Sequence, residues 1–185
     1  MSKKTITYYL KALGKFLEIT FICSAVVFAC YFLLGQILEV SGDSMLPLIK
    51  SGQHLLAEKV SVKNAPLKRG EIIVFTHQGK QAIFIIKRVI GLPNETFKLS
   101  AGKILINGEV LEEPYLLENN KTTGGTLIKE GEEYTVPPDE YLVLGDNRAK
   151  SVDSREWGFA PKNMVLGRAV FVYKPLKEFK ILLGH

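Results

Sequence analysis

Apolar residues follow two different rhythms along this chain. Between Ile19 and Leu38 they form one almost uncharged run, ITFICSAVVFACYFLLGQIL. About 20 such residues cross the hydrocarbon core of a bilayer as a helix, so residues 19–38 are predicted to be a transmembrane anchor. Beyond Leu38 the apolar residues come as short runs of Val, Ile, Leu and Phe bounded by Gly, Pro or Asn, which predicts strands and turns. The expected strands are 53–59, 71–76, 81–90, 96–100, 103–106, 141–144 and 165–173. Asn107-Gly108 predicts a type I′ hairpin turn, and Pro137-Pro138-Asp139 a turn into the strand at 141. The polar stretch 118–125 is expected to be a mobile loop. Short strands without alternating helices predict a mainly β domain, antiparallel and partly barrel-like, at 39–185. The organisation is thus a basic N-terminal segment 1–18, the single helix 19–38 and the β domain.

Composition sharpens this division. Hydrophobic residues make up 46% of the chain and mean hydropathy is +0.11, as suits a protein with a membrane element. Of the net charge of +5, the first 18 residues carry +3, from Lys3, Lys4, Lys11 and Lys15 against Glu18. No basic stripe remains elsewhere, so nucleic acid is not an expected partner. Lysines before the apolar run and few just after it predict a cytoplasmic N-terminus and an extracytoplasmic β domain in the cell membrane. A cleavable leader is disfavoured, because the run is long and no small-x-small site separates it from the β domain. Both cysteines, Cys23 and Cys30, lie inside the run, so the β domain is expected to be stable without disulfides. His54, His77 and His185 are scattered and match no metal-ligand spacing, so neither metal nor cofactor is expected.

Three segments carry candidate chemistry. In the apolar strand around residues 82–90, alternation puts Lys87 on one face with Ile83, Ile85 and Val89, and Arg88 on the other with Phe84, Ile86 and Ile90. An ammonium buried there has its pKa lowered by desolvation, and a neutral lysine can act as a general base. The competing reading is an edge-strand lysine reaching out to water. Second, Val40-Ser41-Gly42-Asp43-Ser44-Met45-Leu46-Pro47 has a glycine suited to a sharp turn and a rigid exit at Pro47. Ser44 held there could offer both its hydroxyl and its own N–H to one carbonyl. Third, residues 145–158 are dense in polar groups yet are entered from an apolar strand. Such groups stay near a core only by satisfying one another, so Asp146, Arg148, Asp153 and Arg155 are expected to form structural ion pairs.

Taken together, these segments resemble type I signal peptidases (leader peptidases), membrane-bound serine proteases with a serine–lysine dyad. The nucleophile motif of that family is matched by Val40, Gly42, Ser44, Met45 and Pro47. Its base motif is matched by Lys87-Arg88-Val89-Ile90-Gly91-Leu92-Pro93, and its third motif by residues 145–148, Ser151, 153–155 and Gly158. The stretch 69–75 resembles a further family strand, with Glu71 where Asp is usual.

The resemblance implies that Ser44 attacks the scissile carbonyl, Lys87 takes its proton and Ser151 orients the lysine. It implies an oxyanion met by the Ser44 N–H. In some members a hydroxyl two residues before the nucleophile also donates, but Gly42 stands at that position here. The implied substrates are the signal peptides of secreted preproteins, with small residues one and three positions before the cut. The chain around Val40–Asp43 and the strand Ile83–Ile86 are the expected walls, with Val40, Met45, Ile49, Ile85 and Ile86 as pocket candidates. A dedicated peptidase for pilin or conjugation proteins and an inactive, membrane-tethered binding homologue are the alternatives. The readings part on one experiment. With a preprotein as substrate, Ser44→Ala and Lys87→Ala are each expected to abolish processing, whereas normal cleavage by Ser44→Ala would remove the dyad.

Overall fold

The computed structural model describes residues 3–77, 83–117 and 120–182. Gln81 and Ala82 of the expected strand, Glu118 and Asn119 of the expected loop, and His185 lie outside them. The chain forms two units, Met1–Gly35 and Gln36–His185. The first consists of helix α1, Lys3–Leu34. Its stretch Tyr8–Ala29 is long and apolar enough to cross a membrane, and none of it is buried within the protein. Exposed Phe21 and Val27 are costly in water and at ease in lipid.

The expected anchor 19–38 is corrected at its C-terminal end. The helix starts well before Ile19 and stops at Leu34, and Gly35–Glu39 is strand β1. Gly35 is a poor helix former, and Leu38 is buried in the core of the β unit. Hydropathy alone could not separate a side chain destined for lipid from one destined for a protein interior.

The second unit is antiparallel β structure. Strands β2 (His54–Glu58), β3 (Ile72–His77), β4 (Ile83–Gly91), β9 (Glu140–Leu144), β10 (Ala160–Pro161) and β11 (Val165–Lys174) join β1 in one sheet. Its order is β1–β2–β11–β3–β4–β9–β10, with β12 (Lys180–Ile181) also on β11. A smaller sheet, ordered β7–β6–β5–β8, comprises β5 (Thr96–Ser100), β6 (Lys103–Ile106), β7 (Glu109–Val110) and β8 (Glu133–Thr135). Short helices α2 (Val60–Asn64) and α3 (Ser154–Trp157) lie in the connections. Asn107 and Gly108 both have positive φ, 51° and 87°, as the predicted type I′ turn requires.

Strand β3 shows why these segments pair as they do. Ile72 and Val74 pack into a cluster with Val40, Met45 and Ile49, while Ile73 and Phe75 pack with Val89 and Val143 on the other face. A strand apolar on both sides belongs inside a sheet, and β3 has β11 and β4 as neighbours. Its register sets Ile73 opposite Lys87 and Ile72 opposite Arg88, so two basic residues occupy the middle of the sheet.

Arg88 is 2% exposed and held on every side. Its Nε and Nη2 donate to the two carboxylate oxygens of Asp146 at 2.8 and 2.6 Å, and Nη1 donates to the Gly70 carbonyl at 2.8 Å. The Tyr115 ring covers the guanidinium, 3.9 Å from its carbon to the ring centroid. The expected mobile loop is instead tied down over its described part, residues 120–125. Asn120 donates to the Asp146 carbonyl at 2.5 Å, the Thr122 N–H to Gly102 at 2.9 Å and the Gly125 N–H to Ile128 at 2.8 Å. Breaking one side of a buried, hydrogen-bonded pair strands the other charge. Asp146→Leu is therefore expected to destabilise the protein by about 3–5 kcal/mol, and the double change Arg88→Met/Asp146→Leu by less. Denaturant unfolding of the detergent-solubilised chain checks both, and a double variant worse than the single would contradict this account.

Candidate active site

Strand β4 delivers Lys87 into the sheet and the turn after β1 delivers Ser44 to meet it. Gly42 takes a φ of 95°, open to glycine and strained for other residues, and reverses the chain there. Around it the backbone is fastened to the next loop: the Val40 N–H donates to Gln53 O and the Gly52 N–H to Val40 O, both at 2.8 Å. On the far side the loop after β9 grips the same turn. The Asn147 N–H donates to the Ser44 carbonyl at 2.9 Å, and its side-chain amide donates to the Asp43 carbonyl at 3.0 Å. Gly145 passes so close that a Cβ there would collide with Ser151 Oγ and stand 2.5 Å from the Ser44 carbonyl oxygen.

The result is a hydrogen bond of 2.7 Å between Lys87 Nζ and Ser44 Oγ. Lys87 is 4% exposed, which decides between its two sequence readings: it is an interior lysine and not one reaching out to water. Its pKa falls from 10.5 to about 8. Burial is the main cause; Asp153 and Asp146 pull it back up, while the Arg155 guanidinium pushes it further down. An amine near 8 has a neutral fraction large enough for proton transfer near neutrality.

The acidic and basic residues of the 145–158 loop pair, but not simply among themselves as expected. Asp146 takes Arg88. Arg148 takes Glu113, and also bonds Thr122 Oγ1. Only Asp153 and Arg155 pair within the loop, through two bonds of 2.8 and 2.9 Å. Asp153 also accepts the Gly145 N–H at 3.1 Å. Arg155 donates to the Arg148 and Ser151 carbonyls at 2.7 and 3.3 Å. The outside partners lie far away in sequence: Arg88 stands in the base motif, while Glu113 and Thr122 belong to segments that carried none.

Ser151 is brought against Gly145 and the Ser44 backbone, but its buried Oγ has no hydrogen-bond partner among the described residues, so the expected bond to Lys87 is not formed. The Gly42 N–H donates to Ser51 Oγ at 3.2 Å. The Ser44 N–H has no acceptor among the described residues and is free to meet an incoming carbonyl oxygen.

Beside Ser44 and Lys87 lies a cleft of about 490 Å³, whose lining includes Val40, Met45, Ile85 and Ile86 of the expected walls. Ile49 does not line it; it is fully buried in the core behind. Sequence reasoning passed over Trp157 and Val152, which line the same cleft. It also gave Asn147 no role of its own. A larger depression of about 690 Å³, lined by Pro138, Asp139, Glu140 and Lys162 among others, contains none of the predicted site residues. A buried lysine whose folded pKa lies below its unfolded value weakens folding fully below about pH 8 and progressively less up to 10.5. Lys87→Met is thus expected to be more stable than the parent near neutrality, by about 3 kcal/mol, with the gap closing between pH 8 and 10.5. Denaturant melts at the two ends of that range check it, and a variant less stable at both contradicts the burial cost.

Known proteins share this chain's sequence over most of its length. The family described as signal peptidase, peptidase S26, matches residues 13–174. A signal peptidase I of Leptolyngbya laminosa is 41% identical over 146 residues, 75% of this chain and 68% of that protein. One from Bacillus caldolyticus is 40% identical over 147 residues, 76% of this chain and 80% of its own length. A crystal structure of a signal peptidase I from Enterococcus faecalis is 31% identical, covering 56% of this chain and 97% of that one, with a TM-score of 0.44.

Proposed function

Because the chain belongs to the signal peptidase family, peptidase S26, we propose that it cuts preproteins with Ser44 as nucleophile and Lys87 as general base. It is a type I signal peptidase, a serine endopeptidase that removes signal peptides, and a membrane protein. The observation that carries the dyad is the 2.7 Å contact between Ser44 Oγ and the amine of a lysine whose pKa burial has lowered to about 8. When that amine is neutral, the Ser44 hydroxyl donates to it; when it is charged, it donates to Ser44 and the serine is inert.

Chemistry follows from that exchange. A preprotein lies along the cleft with its scissile carbonyl carbon at Ser44 Oγ, and its residues with small side chains face Val40, Met45, Ile85 and Ile86. As Oγ bonds to the carbonyl carbon, its proton passes to Lys87 Nζ, and the negative oxygen is met by the Ser44 N–H. The ammonium of Lys87 returns the proton to the leaving nitrogen of the mature chain, the C–N bond breaks and an ester remains on Ser44. Neutral Lys87 then takes a proton from water, whose oxygen bonds to the ester carbon. The bond from that carbon to Ser44 Oγ breaks, Lys87 returns the proton to Oγ, and the signal peptide leaves as an acid that loses its proton to solvent. Burial of the amine favours each step in which it must be uncharged.

Ser151 is assigned as the residue that steadies the lysine by turning its hydroxyl towards the amine, a bond this structure does not contain. Its support is a buried hydroxyl that lacks a partner among the described residues and is packed beside the Ser44 backbone. Asp146, Arg148, Asp153 and Arg155 act as scaffold. Residues 36–185 form the catalytic domain outside the cytoplasm, anchored by one membrane crossing with the lysine-rich N-terminus inside. The test is the pH dependence of kcat/KM on a preprotein. With a base of pKa about 8, the rate near pH 7 is expected to be about a tenth of its plateau and near pH 6 about a hundredth. With chemistry rate-limiting, a profile flat across that range excludes Lys87 as the base.

A further inference from the structure

The segment from Pro175 to Leu182 lies far from Ser44 in sequence, yet it grips the loop that holds the Ser44 turn. Lys180 Nζ donates to the Leu48 carbonyl at 2.8 Å, and the Leu182 side chain is buried in one cluster with Val40, Met45 and Ile49. The tightest contact is between Gln53 and Glu178: Gln53 Nε2 donates to Glu178 Oε2 at 2.6 Å. Gln53 is a polar side chain only 2% exposed, and both ends of its amide are used. Its Oε1 accepts the Lys50 N–H at 2.9 Å, while its main-chain carbonyl accepts the Val40 N–H at 2.8 Å. Glu178 is also met by Lys50 Nζ at 3.3 Å, and these contacts hold its carboxyl below the usual carboxylate range.

A path of short bonds therefore runs from Glu178 through Gln53 to Val40, four residues before Ser44. The same 48–53 loop makes two more attachments to the turn: the Ile49 N–H donates to the Met45 carbonyl at 2.9 Å, and Ser51 accepts the Gly42 N–H. The turn is thus fixed from two directions. Asn147 holds its inner side, and the Gln53–Glu178 pair holds the strand that leads into it. Asn147 belongs to the loop with the site motif; Gln53 and Glu178 belong to no motif.

We propose that Gln53 and Glu178 are positioning residues that set the reach of Ser44 to Lys87, a role that rests on Ser44 being the nucleophile. Neither touches the reacting atoms. Their contribution is to the fraction of time Oγ spends within proton-transfer distance of Nζ, and displacements of about 1 Å at such a site cost up to about a hundredfold in rate.

The test uses the full chain in detergent with a preprotein substrate, reading kcat per folded molecule beside Tm. Gln53→Glu sets two carboxylates against each other and is expected to lower kcat by about tenfold or more. Adding Glu178→Gln restores the bond with donor and acceptor exchanged, and the double variant is expected to return to within about threefold of the parent. Glu178→Ala removes the outer partner without placing a new charge inside; its expected loss is smaller, about three- to tenfold, and it decides the matter if Gln53→Glu does not fold. A lower Tm with parental kcat in the folded variants overturns the proposal and leaves the pair a purely structural clasp. So does a double variant that recovers Tm but not kcat. Wild type and Ser44→Ala run alongside: cleavage by Ser44→Ala overturns the reading of the nucleophile as well.

Discussion

The pairing of Arg88 with Asp146 is the constraint on which the site hangs. It sets a full charge in the centre of a sheet and neutralises it with a carboxylate from the loop that follows β9. That loop has no freedom to sit elsewhere while the guanidinium needs it. Its next residue, Asn147, binds the Ser44 carbonyl, so the arginine on one face of β4 indirectly fixes the serine that faces the lysine. The buried ion pair adds little net stability of its own, since the desolvation of both charges offsets much of their attraction. What it contributes is a single allowed arrangement.

Lys87 and Arg88 are neighbours in sequence and both buried, yet they meet opposite surroundings. Arg88 receives a bidentate carboxylate, a carbonyl and an aromatic face. Lys87 receives one hydroxyl and no carboxylate in contact among the described residues, and its charge is only loosely held. The strand's two-residue alternation is what allows this. One position turns towards a loop rich in acceptors and the other towards an apolar cluster containing Ile73 and Val89. A guanidinium could not take the second role, because it does not deprotonate in the accessible range.

Much of this was legible beforehand. Strands β3, β4, β5, β6, β9 and β11 follow the apolar runs within a residue or two at each end, apart from positions outside the described residues. The turn at Asn107-Gly108 follows from residues that tolerate positive φ. Lys87 could be picked out because an apolar strand does not suit it, and Ser44 because the residues around it match the nucleophile motif. The misses share a cause. Glu113 pairing with Arg148, and Glu178 with Gln53, join residues 35 and 125 positions apart. Neither partner disturbs its local pattern, since an exposed-looking glutamate in a polar stretch announces nothing. The boundary at Gly35 was missed for a related reason: Leu38 is apolar whether it meets lipid or the β core.

Trp157 is the only tryptophan in the chain, and it stands in the lining of the cleft with its ring 5.7 Å from that of Phe75. Indole emission responds to polarity and to neighbouring groups, and here no second indole dilutes the signal. The molecule therefore carries an optical reporter in the wall of the cleft beside Ser44 and Lys87. Occupancy of the cleft is written into its intrinsic fluorescence, without a label and independently of any bond being cut.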